Sequence, residues 1–521
     1  MDYLKRRNNL LDKLTEIYIF MIIVIFPLCV DKTGFFRILE CKYRIYLGMS
    51  VGYIAITIIT IIDYYIFHKV NNIKNIKISK VQCAVIAFWI VNVISCIFSD
   101  YWKKYNLFVG VGRGEGLINI TLYCFTFILI SIFGKFRKRY IMYFSISSIC
   151  ISSIAILQYI GFNPLNMYQD GIGTHNVSFM ATIGNIDFIS AMYCMLLTVS
   201  FSAFIFIDEK IKYKIIHLLS IFMGFFIFII INVMSGKVAF LAIFIILSPL
   251  IVTNSKRLYR AIIVFASIIF GLAINIIINP QYHYNIQKLT LDFQFNKISF
   301  AFLIITGIFA FLAYILYRNE YDLSKNKKII KILYAVIVGS IFLVIICLYF
   351  INFSSGTLYE VHELLHGNFN DEFGTYRIFL WKRAMKLFRE YPIIGSGPDT
   401  FAVRFMDKYT DDVLKIGKLS INDTAGNVYI TMLINIGMLG LFVYLIFLIL
   451  QLKEGIKKKN NYSKVLLIAI LCYWIQDVFN LWVVVVTPVY WTLMAIHQLG
   501  INENTKDLEI GGIKNESKKE K

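Results

Sequence analysis

The chain has 521 residues, 58% of them hydrophobic and only 16% charged, with a mean hydropathy of +0.68 and a formal net charge of +20. That apolar excess excludes an ordinary soluble domain, which needs far more polar surface. Apolar runs of about 17–22 residues recur about 14 times, each long enough to cross a hydrocarbon core. The fold class predicted is an all-α polytopic membrane protein, one membrane domain over residues 1–500 with a long extracytoplasmic loop at 353–424 that contains an amphipathic helix.

In chain order, the spans are expected near 15–30, 45–66, 81–98, 117–133, 140–160, 186–207, 215–233, 238–253, 261–279, 298–317, 332–352, 427–450, 465–482 and 484–500. No small-residue cleavage site follows the first apolar run, Ile17 to Val30, so it reads as a retained signal-anchor. With the N-terminus inside, about 33 of the Lys and Arg residues fall in about 97 inside positions, against about 19 in about 156 outside. The positive charge therefore faces anionic headgroups of the cytoplasmic membrane, and no nucleic-acid partner is expected. Both termini are placed in the cytoplasm, and 501–521, rich in Lys, Glu and Asn, reads as a disordered tail. Of the nine cysteines, only Cys41 is expected to be exposed outside, and no disulfide or metal spacing appears.

The outside connections hold the chemistry. Gly110-Val-Gly-Arg-Gly-Glu-Gly-Leu117 alternates glycines that let backbone amides approach an anion, with Arg113 as a phosphate fork and Glu115 as its partner or a proton acceptor. Asn185 and Asp187 open the sixth span as caps or site groups, and Lys237 sits in a very tight turn before the eighth. In the long loop, Thr375 to Tyr391 is amphipathic: Lys382, Arg383, Lys386, Arg389 and Glu390 gather on one side. Ile378, Leu380, Trp381, Ala384, Met385, Leu387 and Phe388 cover the other. Arg377 breaks the partition by sharing a stripe with Trp381, Ala384 and Phe388, so it either snorkels to water or holds an anion in a membrane-facing site. Gly395-Ser-Gly-Pro-Asp399 offers a backbone nest or a turn, Arg404 follows it, and Asn422 to Tyr429 stands at the mouth of the next span. His362-Glu-Leu-Leu-His366 has zinc-protease spacing, but Gly367 and Asn368 would stop the helix at once.

Taken in order, Gly112-Arg-Gly-Glu-Gly-Leu117, Gly184-Asn-Ile-Asp-Phe188, Ser235-Gly-Lys237, Leu365-His-Gly367, Tyr376 to Trp381, Pro392 to Phe401, Ala425 to Ile430, Gly437-Met-Leu-Gly440 and Tyr473 to Asn480 resemble the O-antigen ligase and polymerase superfamily, in its low-GC Gram-positive form. The resemblance covers about residues 80–500. It implies a multi-span glycosyltransferase, without metal or other cofactor, that moves a glycan from undecaprenyl diphosphate to a glycan or cell-surface acceptor outside the cytoplasmic membrane.

On that resemblance, Arg377, Arg113, Glu115 and Asp423 are the catalytic candidates. Arg113, Lys237, Arg377, Arg404, Gly395 and Gly397 would bind the donor diphosphate, whose developing charge needs fixed cations. Trp381, Asn185, Asp399, Asn427 and Tyr429 would support them. Lys237 stands where the family usually has Arg, and Gly426 where its ligases carry the histidine read as base. Glu115, Asp423, Asp399 or His366 could serve instead, or the chain follows the polymerase branch, or catalysis is lost. The competing readings are a non-catalytic or flippase-like binder of lipid-linked glycan and a zinc membrane protease.

Overall fold

A computed structural model describes residues 2–68, 78–168, 177–283, 288–416, 423–458 and 460–502. The tail expected at 501–521 lies outside the described residues from 503 onward. Helix α1 (Asp2–Phe20) continues through a π turn, Met21–Ile25, to Leu28. Then come α2 (Ile38–His68), α3 (Lys80–Ile97), α4 (Leu117–Phe133), α5 (Arg139–Tyr159), α6 (Ile186–Phe206), α7 (Ile211–Ile231), α8 (Met234–Val252) and α9 (Ser255–Ile277). After an antiparallel hairpin (Ile278–His283 with Lys288–Phe293) the chain forms α10 (Lys297–Arg318) and α11 (Lys327–Phe350). Short helices α12 (Gly356–Leu365), α13 (Phe373–Phe388) and α14 (Phe401–Lys415) make up the long loop, followed by α15 (Val428–Lys457), α16 (Asn461–Asp477) and α17 (Thr487–Asn502). Each apolar run expected to span falls on a helix. Among the described residues, ten of these helices are long and apolar enough to cross a membrane, and α4 is a shorter apolar helix.

Asparagine starts many of these helices. Side chains of Asn185, Asn254, Asn296, Asn326, Asn427 and Asn460 accept from the first free amides of α6, α9, α10, α11, α15 and α16. A short carboxamide at the N-cap satisfies donors that lipid cannot. Helix α6 lies at the centre, its most apolar stretch wholly buried, between α5, α7, α8 and α16. There the His217 ring bonds Ser145 at 2.8 Å, and Ser145–Ser200 and Ser200–Ser220 bonds of 2.9 Å lock α5, α6 and α7 together. At the edge, α11 buries none of its side chains and presents an apolar surface suited to acyl chains. Cys41 is buried at 3% exposure rather than exposed, because α2 packs it inward beside Lys42, which caps the Phe26 and Pro27 carbonyls.

The loop helices share a second core of Phe379, Ala384, Leu387, Phe401, Phe405 and Ala425. The expected partition of α13 holds for Ile378, Ala384 and Leu387, whereas Met385 is exposed. This small unit docks through a break in α15. At Gly437 the backbone turns to φ +69° and ψ −176°, which frees carbonyls of the preceding turn. Ser396 and Gly397 amides donate to Ile434 and Asn435 carbonyls at 3.3 and 2.8 Å, while Met438 and Leu439 amides donate to Pro392 and Ile393 carbonyls at 2.9 and 3.1 Å. A side chain fits neither partner: a Cβ at Gly437 would lie 2.2 Å from the Ile393 carbonyl oxygen, and one at Gly395 2.3 Å from that of Asn435.

Gly437→Ala therefore meets both a forbidden φ and a backbone clash, and a loss of about 2–4 kcal/mol is expected. The measurement is the thermal midpoint of detergent-solubilised protein. Gly440→Ala, in the regular part of α15 and meeting only side-chain atoms of Ile436 rather than the docked backbone, should fall less. Equal midpoints for Gly437→Ala and wild type would contradict the docking role of the break.

Candidate functional site

The docking turn leads directly to Asp399, whose own φ is +58°. Its carboxylate accepts the amides of Gly112, Arg113 and Gly114 at 2.9, 3.1 and 3.1 Å. The amides that the alternating glycines of Gly110–Gly116 were expected to offer a ligand are taken by the chain's own carboxylate. Phosphate does not need to enter there. Burial pushes the Asp399 carboxyl up to about 6 against the pull of those amides.

Held in this way, the glycine loop presents Arg113 and Glu115 to a cavity that is partly open to solvent. Asp399 and Thr424 line the same cavity, with Phe88, Asn92, Asn435 and Trp482. Arg113 makes an ion pair with Asp423 and lies over the Phe188 ring, 5.7 Å from its centroid. Glu115 is buried; Tyr123 donates to one oxygen at 3.1 Å and the other has no partner. Burial, with Asp399 nearby, raises its carboxyl to about 8.

Arg377 approaches the same corner from the loop helices. Gly374, Thr375 and Tyr376 form a left-handed turn with φ of +62°, +59° and +67° just before it. Such backbone is costly for Thr and Tyr, and it persists where surrounding structure imposes it. The guanidinium donates to the Gly374 carbonyl at 3.1 Å and to the Phe479 carbonyl at 3.2 Å. It is half-buried, and burial lowers its pKa while the nearby Asp187 carboxylate opposes that. A Cβ at Gly426 would stand 3.7 Å from its Nε. Gly426 therefore faces Arg377, three residues beyond the Asp423 partner of Arg113.

Other candidates brace this corner. Trp381 donates from its indole to the Ala425 carbonyl at 3.0 Å, Asn427 caps α15, and the Tyr429 hydroxyl bonds the Trp474 carbonyl at 3.1 Å. Asn185 caps α6 by accepting from the Asp187 amide at 2.7 Å.

Four proposed diphosphate ligands are placed elsewhere. Arg404 is fully buried in the loop core, bonding Ser396 Oγ at 2.8 Å, the Leu387 carbonyl at 2.7 Å and Glu390 at 3.1 Å. Gly395 and Gly397 spend their amides on the Tyr391 and Asn435 carbonyls. Lys237 is exposed at the start of α8, bonded to Asn232, and does not line the cavity.

The His362-to-His366 pair has both Nδ1 atoms on backbone carbonyls, of Leu348 and His362, at 2.9 Å. Glu363 accepts from Asn368, and among the described residues no group of three or more His, Cys, Asp or Glu could hold a metal ion.

Asn92, Asn435 and Trp482 were missed by sequence reasoning. Asn92 and Asn435 were visible as amides inside apolar spans, where polar groups usually have work to do.

With this geometry in view, the family model described as O-antigen ligase matches residues 293–445, from the hairpin into α15 and less than half of the chain. The match supports the O-antigen ligase and polymerase superfamily, and with it membrane glycan transfer of that general type by a multi-pass protein. Comparison with curated proteins finds no match.

Because Glu115 has a carboxyl raised from 4.5 to about 8, the unfolded chain releases that proton first as pH rises. The associated stability is present below about pH 4.5, is lost progressively up to about pH 8, and is then flat. Glu115→Gln lacks the titration. Its midpoint should fall less than that of wild type between pH 5 and 8; parallel curves would show that the carboxyl is not held protonated.

Proposed function

We propose, from the premise of an O-antigen ligase domain at residues 293–445, that the chain transfers a glycan from undecaprenyl diphosphate to a hydroxyl acceptor on the outer face of the cytoplasmic membrane. The observation that carries this reading is the convergence of Arg113 and Arg377 on the 423–427 segment, beside a cavity lined by a half-partnered Glu115. The outer face is assigned from the concentration of Lys and Arg in the opposite loops.

When the glycan leaves, the bond between its anomeric carbon and the phosphate oxygen breaks, and both electrons go to the lipid diphosphate. Two guanidiniums fixed beforehand, in a half-buried setting, stabilise that charge without reorganising. They supply what a divalent cation would otherwise supply. Arg113 rests on the Asp423 carboxylate, an anionic partner that a diphosphate can replace. A diphosphate that takes over Arg113 releases Asp423 to accept the proton of the incoming acceptor hydroxyl as its oxygen bonds the anomeric carbon. This assigns the base to the loop that carries Gly426 rather than to position 426 itself. Glu115, with its carboxyl raised to about 8, holds a proton at neutral pH and is better suited to donate a hydrogen bond than to act as base.

Arg377→Ala should lower glycan transfer about 10²–10³-fold with insertion unchanged, the range for removing one preorganised donor at a developing oxyanion. Arg377→Lys should retain part of the rate, having charge without the fork. The assay is turnover of lipid-linked glycan by purified protein; unchanged rates in Arg377→Ala would remove the assigned role. The binding-only reading predicts no turnover in wild type.

A further inference from the structure

We propose that Glu360 is a positioning residue for Arg377, acting through Gly374 at the start of the left-handed turn. This role rests on the transfer reading above and adds to it the group that aims one of its two guanidiniums. Three successive residues with φ near +60° form the turn, and two of them carry side chains. Such backbone relaxes unless neighbouring structure holds it. Glu360, half-buried on α12, does so: its Oε2 accepts the Gly374 amide at 3.1 Å. The carbonyl of the same Gly374 accepts from Arg377 Nη1 at 3.1 Å. One residue of the turn therefore carries the carboxylate on its amide and the guanidinium on its carbonyl. A charged acceptor on that amide makes a stronger bond than a neutral one.

Glu360 can restrain the turn because α12 is itself anchored. On one side His362 Nδ1 donates to the Leu348 carbonyl of α11 at 2.9 Å, and the His366 ring stacks on Tyr349 with centroids 4.2 Å apart. On the other, Tyr359 meets Phe373, the residue before Gly374, edge to face at 6.0 Å. Helix α12 is thus a strap from the end of α11 to the turn, and the two histidines with zinc-protease spacing are its fastening. Reach matters as well: aspartate at 360 would fall one methylene short, whereas glutamine would present the same acceptor oxygen.

The test treats full-length protein in detergent with phenylglyoxal and reads modification of each arginine by peptide mass spectrometry. Glu360→Ala should speed labelling of Arg377 about tenfold, the worth of one charge-assisted bond. Glu360→Gln should label like wild type, and Glu360→Asp like Glu360→Ala. A thermal midpoint near wild type and continued protection of the buried Arg404 report that the loop core is folded. Should Glu360→Ala lose that core, Glu360→Asp decides. Equal labelling of Arg377 in wild type and in the folded variants overturns the proposal. In turnover, Glu360→Ala should lower kcat about tenfold with KM near wild type, and Glu360→Gln should restore most of the rate. In an Arg377→Ala background Glu360→Ala should cost nothing further; an equal loss in both backgrounds marks a merely structural carboxylate and overturns the proposal. Wild type without turnover, with labelling in the expected order, sinks the transfer reading and leaves the positioning role standing. Turnover with Arg377 labelled alike in every variant does the reverse.

Discussion

A helix in lipid cannot leave carbonyls unpaired, and the break of α15 at Gly437 turns that constraint into a scaffold. The carbonyls of Ile434 and Asn435 need donors, and Ser396 and Gly397 provide them. The turn that docks there carries Asp399, which captures three amides of the glycine loop and so fixes where Arg113 begins. One backbone defect thus couples the loop helices to α3, α4 and the cavity between them. Asn435 strengthens the joint by accepting the Phe401 amide with its side chain at 3.0 Å and the Ser95 hydroxyl with its carbonyl at 3.1 Å.

Electrostatics then sorts the basic residues into two kinds. Arg404 is closed off by Glu390, Ser396 and a carbonyl, so its charge serves the stability of the loop core. Arg113 and Arg377 are only partly satisfied. One relies on a single carboxylate of a flanking loop, the other on two backbone carbonyls and the more distant Asp187. A guanidinium held by so few partners can exchange them for an anion at small cost, whereas extracting Arg404 would break its bonds to Ser396 and the Leu387 carbonyl and empty the centre of the unit.

Much of this was legible in the residues. The apolar runs marked the helices because hydrocarbon thickness fixes their length, and Arg377 was conspicuous as a cation in an apolar stripe. The glycine alternation pointed to amides free to converge on an anion. Their partner was not foreseeable, since the carboxylate of Asp399 lies far away in sequence and reaches them only through the Gly437 joint. For the same reason Arg404 looked available: the core that encloses it is assembled from α13, α14 and the 423–427 segment, and no local pattern reports such a core. Asn185 and Asn427 show the opposite case, where the local rule of capping accounted for the side chain completely.

Gly426 gains a physical meaning from this arrangement. Its φ of +60° is easy for glycine and strained for any side chain, and its missing Cβ faces the Arg377 guanidinium. An imidazole at that point would sit beside a fixed positive charge, which would keep it neutral and able to accept a proton. With glycine there, the loop instead offers Asp423, whose carboxyl is raised by burial while its pairing with Arg113 opposes that rise. Base strength then depends on whether Arg113 is occupied by the carboxylate or by the leaving diphosphate. On the proposed chemistry, deprotonation of the acceptor is tied to the arrival of the donor, and a site without its donor keeps its base covered.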